Sequence, residues 1–243
     1  DEKAQKRMKF VLVQVKTRLN NDDAFGKFPT DQLELLSNTL HQMYINPIFK
    51  QYVEEKEGDN PLKDSGKQEP MVLDLTQGVY AEEYAKYATS KGIDISQIHE
   101  DAEGKESMAS QHLSKENLAS FLRRIFLKQF PQYANCFTIF SLFDVGIKNI
   151  SGFCEMKADP KTGKLSFYKK NVVLFGGRNP TTLCHEVIHG LGLRHTHFDD
   201  EPILKEEKKY VFTRKTTDNI MSYASSRKTT WHWQWELIRD KNK

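Results

Sequence analysis

The chain has 243 residues, enough for between one and two domains of ordinary size, and one large domain is the simpler reading. Its 36 Lys and Arg against 33 Asp and Glu give a formal net charge of +3, a near balance that excludes an acidic tail and gives no basis for a nucleic-acid surface. The longest mainly apolar runs, 137–143 and 172–175, fall far short of the ~18 residues a membrane span needs.

Three cysteines, Cys136, Cys154 and Cys184, are too few for a disulfide scaffold and allow one bridge at most. Cys136 with Cys154 is the candidate pair, set against three free thiols. Cys184 is read as a small buried hydrophobe rather than a redox site. The opening residues Asp1 to Arg7 do not resemble a signal peptide and there is no initiator Met, so the expectation is a mature form or an excised domain.

In chain order, 10–16 is rich in β-branched residues and predicts a strand. Thr30 is placed as the N-cap of a helix carrying Leu33, Leu36, Leu40 and Met43 at helical spacing. The charged stretch 54–70, with Gly58, Pro61, Gly66 and Pro70, predicts an exposed loop, and 71–75 a second strand. Residues 78–131 are predicted mostly helical, with a polar interruption near 100–107, an apolar stripe of Leu118, Leu122, Ile125 and Phe126, and a stop at Pro131. They are taken as a helical insertion. Strands follow at 136–143, 150–156 and 171–175, with a turn at 159–163. Strands interleaved with long helices predict an α/β or α+β sheet domain.

The chemistry is concentrated in His185-Glu186-Val187-Ile188-His189-Gly190-Leu191-Gly192-Leu193-Arg194-His195. Asn179 and Pro180 suit the start of a helix. His185 and His189, at i and i+4, then share one helix face and can grip one ion. Glu186 is placed to reach that ion's water without being a ligand. Gly190 and Gly192 can end the helix, allowing the φ > 0 of a sharp turn that returns His195 to the same ion. Three His ligands leave a fourth position open, the arrangement of a catalytic Zn2+ site. The spacing has roughly less than one chance in a thousand of arising from this composition.

The pattern resembles the metzincin clan of zinc metallopeptidases, HExxHxxGxxH followed by a Met-turn. The Met-turn candidate is Asp218-Asn219-Ile220-Met221-Ser222-Tyr223. Met221-x-Tyr223 is similar to astacin-like and serralysin-like members, and His195-Thr196 to pappalysin-like and fragilysin-like ones. The insertion matches none of these closely. The resemblance implies one catalytic ion held by His185, His189 and His195, with Met221 beneath it. It implies Glu186 as general base and Tyr223 as a zinc ligand or oxyanion donor. It implies a single peptidase domain over 1–243, with an upper subdomain 1–192 containing the insertion at about 78–131, and a lower subdomain 193–243.

The activity expected is zinc-dependent cleavage of protein or peptide substrates by a monomer, with the substrate paired to an edge strand at 150–156. The alternative is a zinc-binding interaction module without catalysis. The expected setting is outside the producing cell, as a secreted toxin or effector domain. His197 is read as a surface residue and Asp199, Asp200 and Glu201 as a solvated acidic loop. Trp231, Trp235 and Ile238 are read as the buried face of a last helix.

Overall fold

The computed structural model describes residues 6–19, 22–50, 71–90, 118–145, 151–158, 165–197, 211–224 and 227–241. The predicted loop 54–70, the interruption 100–107, the turn 159–163 and the acidic residues 199–201 lie outside them. The elements in order are β1 (Lys6–Leu19), β2 (Asp22–Phe25), α1 (Thr30–Gln42), β3 (Ile45–Lys50), β4 (Met71–Asp74), α2 (Gly78–Ser90), α3 (Leu118–Gln129), a 3-10 turn at Pro131–Tyr133, β5 (Phe137–Val145), β6 (Gly152–Ala158), β7 (Leu165–Gly176), α4 (Thr182–Gly190) and α5 (His232–Lys241). This is an α+β fold built on a mixed seven-stranded sheet.

The long β1 organises the sheet. One edge pairs in parallel with β3 through Lys6 to Val11 and with β4 through Val13 to Lys16. The other edge pairs in parallel with β5 through Phe10 to Gln14 and antiparallel with β2 through Lys16 to Leu19. β7 continues in parallel from β5, and β6 closes that side as an antiparallel edge strand. Strand alternation sends side chains to two cores. Phe10, Leu12, Phe137, Ile139, Val172 and Leu174 meet α1 and α4 on one face. Val11, Val13, Val15, Phe140, Val173 and Phe175 meet α3 and Tyr84 of α2 on the other. The described helices of the stretch read as an insertion therefore form the layer that covers the second face of the sheet. Glu83 ties them together by pairing with Arg124 and Lys128.

Four sequence expectations are corrected. α1 begins at Thr30 itself, with Pro29 in the cap position and no side-chain cap; the Pro29 carbonyl accepts from Gln32 and Leu33 N–H instead. Cys136 and Cys154 are free thiols, because Cys136 faces the core under α3 and Cys154 the core under α4. Among the described side chains of α5, Gln234 and Ile238 are fully buried, while Trp235, and Trp231 just before the helix, are only partly covered. His197 is not at the surface; it is 2% exposed. The expectation for Cys184 matches its burial, which also pushes its thiol pKa up to about 12.

Candidate metal centre

α4 begins at Thr182, with Thr181 in the cap position and no side-chain cap, which corrects the start expected at Asn179 and Pro180; Asn179 lies in the turn before it, its Oδ1 accepting from Thr181 N–H at 3.0 Å and Thr181 Oγ1 at 2.8 Å. The helix buries its apolar side, Leu183, Val187 and Ile188, against the sheet. It ends in a Schellman motif: Gly192 N–H donates to His189 O at 2.8 Å and Leu193 N–H to Ile188 O at 3.2 Å, with Gly192 at φ 99°. Gly190 has a different role from the helix-ending one expected of it. A Cβ there would come within 2.4 Å of the Phe137 ring, so the missing side chain lets α4 lie close on β5.

The sharp turn returns the chain to the helix, and three imidazoles converge. His185 Nε2 lies 3.1 Å from His189 Nε2 and 3.1 Å from His195 Nε2, and the last two are 3.0 Å apart. The outer nitrogens of the first two rings are fixed. His185 Nδ1–H donates to the Ile220 carbonyl and His189 Nδ1–H to the Leu193 carbonyl, each at 2.7 Å. A carbonyl can only accept, so both rings carry the proton on Nδ1 and turn an Nε2 lone pair inward. Burial, followed by the neighbouring His195, pushes the His185 pKa down to about 3 and that of His189 well below its usual value. Both rings are neutral, as ligands must be.

Inward-facing lone pairs at such separations repel one another unless a cation sits among them. Tetrahedral zinc, with bonds of about 2.0–2.1 Å, separates its nitrogens by roughly 3.3 Å. The observed triangle needs adjustments of only a few tenths of an ångström. His185, His189 and His195 could therefore hold a metal ion.

Glu186 faces the edge strand. It accepts a hydrogen bond from Cys154 N–H of β6, and its carboxyl is pushed up to about 8 by burial, opposed by the Arg227 charge. Gly152 is where β6 crosses it: a Cβ on that residue would stand 3.1 Å from Glu186 Cγ and 3.0 Å from Val173 O. The strand expected as the sheet edge is thus at the edge and beside Glu186.

The Asn219–Ser222 turn supports the centre from below. Asn219 Oδ1 accepts from Met221 N–H at 2.9 Å, and Asn219 Nδ2 donates to Gln234 Oε1 of α5 at 2.8 Å. Met221 is fully buried in the cluster that contains Leu183, Val187 and Ile188. Its carbonyl accepts from Thr196 N–H at 3.1 Å, which anchors the residue after His195. Tyr223 packs its ring 4.6 Å from that of His195 and 5.8 Å from that of His185, centroid to centroid. His197 stacks on the outer side of His195 at 5.0 Å.

Sequence reasoning missed Arg227. Its Nη1 lies 3.3 Å from His185 Nδ1 and donates to the Ser222 carbonyl at 3.2 Å. It also missed the carbonyls of Ile220 and Leu193. These follow from the Asn219–Ser222 turn and the Schellman motif only once the turns are folded onto the helix. No protein-family model matches the chain, and no curated protein matches it.

Proposed function

We propose that this protein is a metzincin-like zinc endopeptidase. The observation that carries the reading is the convergence of three imidazoles, two of them neutral and locked by carbonyl acceptors, beside a carboxyl group and the edge strand β6. His185, His189 and His195 would hold the ion. Bound there, zinc lowers the pKa of a coordinated water and polarises a carbonyl oxygen.

The chain's own residues do the rest. Glu186 accepts a proton from the attacking water and returns it to the leaving amine. Its burial raises its pKa towards neutrality, which suits both halves of that task. Cys154 N–H holds the carboxyl group in place. Tyr223, packed on His195, supplies a phenolic donor for charge developing on the carbonyl oxygen. An extended peptide adds to the outer edge of β6 by main-chain hydrogen bonds, and Gly152 leaves room for Glu186 beneath it.

The test is digestion of an unbiased peptide library by zinc-loaded protein, chelated protein and chelated protein given back its zinc. Cleavage that is lost and then restored supports the proposal. Cleavage indifferent to chelation contradicts it.

A further inference from the structure

Two guanidinium groups lie near Tyr223, one on its ring and one close enough to feel its charge. Arg214 is exposed and stacks with its Cζ 4.8 Å from the ring centroid. Arg227 is half-buried on the side of His185 and Glu186. Its hydrogen bonding is incomplete. Nη1 reaches Ser222 O, but the nearby His185 Nδ1 has its own proton directed at Ile220 O and cannot accept from it. Nε is buried with no hydrogen-bond partner. Among the described residues no carboxylate, Glu186 included, lies within ion-pair distance of Arg227.

A half-buried guanidinium with an unsatisfied N–H and, among the described residues, no carboxylate in ion-pair contact is costly to maintain, although Glu186 acts on it at longer range. Its planar fork matches a carboxylate in particular. Reduced solvent screening at this depth strengthens such a contact relative to a surface pair.

We propose that Arg227, assisted by Arg214 on Tyr223, selects substrates by binding a carboxylate next to the scissile bond, so that the enzyme cuts acidic peptides. This rests on the peptidase reading. The carboxylate comes from an Asp or Glu side chain or from the free C-terminus of a short peptide. Arg227 acts as a specificity-determining residue and takes no part in moving protons.

The experiment first maps cut sites in a peptide library, then measures kcat/KM for matched peptides that differ only as Asp against Asn beside the cut bond. Each peptide is made with a free and with an amidated C-terminus. Zinc content is measured for every variant as a check on folding. The Asp peptide should be preferred by about 10- to 100-fold in the wild type. Arg227→Gln should erase that ratio, and Arg227→Glu should reverse it in favour of a Lys peptide, a gain that misfolding cannot mimic. Arg214→Gln, at an exposed site, should lower the ratio only about threefold. Preference for a free C-terminus over its amide, with Asp and Asn alike, would assign the site to the terminal carboxylate.

A wild type that cuts without any carboxylate preference overturns the proposal and leaves the peptidase reading standing. So does an Arg227→Gln variant that slows both peptides equally, which makes Arg227 a positioning residue. If the wild type cuts nothing, the peptidase reading fails. Fluorescence anisotropy with a labelled Asp-rich peptide and its Asn counterpart on zinc-loaded Glu186→Ala protein then decides the Arg227 question alone. Tighter binding of the Asp peptide, lost on adding Arg227→Gln, upholds the carboxylate site, and equal binding overturns it.

Discussion

Replacing Asn219 by Ala should destabilise the protein and loosen the metal centre together. Asn219 is fully buried, as is its partner Gln234 on α5. The substitution orphans two donors, Met221 N–H at 2.9 Å and Gln234 Nε2 at 3.2 Å from the lost Oδ1. Each buried unsatisfied donor costs about 1–3 kcal/mol, so the loss should be about 2–6 kcal/mol. For a chain of this size that lowers Tm by roughly 4–24 °C. Gln234→Ala orphans two others, Asn219 Nδ2 and Trp231 N–H. The double variant orphans only the two backbone donors, so it should cost at least about 2 kcal/mol less than the sum of the singles. Because Ile220 O holds His185 and Met221 O holds Thr196, zinc affinity should fall about 10- to 100-fold. Denaturant titration of the metal-free proteins and chelator competition of the loaded ones give the two numbers. A cost under about 0.5 kcal/mol, or strict additivity of the pair, would falsify this account of the turn.

Other expected outcomes follow from the same geometry. Gly152→Ala should cut turnover at least about tenfold by pressing on Glu186, with little loss of zinc; unchanged turnover would mean β6 does not crowd the carboxyl. Removing zinc should lower stability by about 4 kcal/mol, relative to protein held at 1,000 times the dissociation constant, and scanning calorimetry reads it. In metal-free protein Glu186 has its folded pKa raised from 4.5 to about 8, so its contribution is full below pH 4.5 and is lost as pH rises through about 8. His185 has its folded pKa lowered from 6.5 to about 3, so its contribution, like that of His189, is present above pH 6.5 and lost below it. Metal-free stability should therefore peak near pH 6.5 and decline by about 1–2 kcal/mol towards pH 8. Glu186→Gln should remove that upper decline and steepen the rise between about pH 4.5 and 6.5, where the Glu186 loss partly offsets the gain from the two histidines. Tyr223→Phe should reduce turnover more than zinc content, and equal loss of both would make Tyr223 a ligand.

Local chemistry was legible in the sequence. The i, i+4 histidines and the αL glycine at Gly192 each follow from one segment obeying helix rules. So do β1, β4, β5 and β7, whose apolar runs reflect burial within the sheet. What was missed depends on distant pairing. β2 carries Asp22 and Asp23, and β3 carries Pro47; both are strands because β1 offers them an edge. Cys136 and Cys154 read as a candidate bridge until strand parity sends them to opposite cores. Arg227 has no signal in its own segment. It matters only because the chain beyond Met221 returns to the flank of α4.

The central claim is that Glu186 works as a base beside zinc held by His185, His189 and His195. Its most direct test measures zinc content and peptide-library cleavage on wild type and Glu186→Ala side by side. The account expects about one zinc per chain in both and cleavage only in the wild type. Equal cleavage by the two proteins, or zinc in both with cleavage in neither, would contradict it.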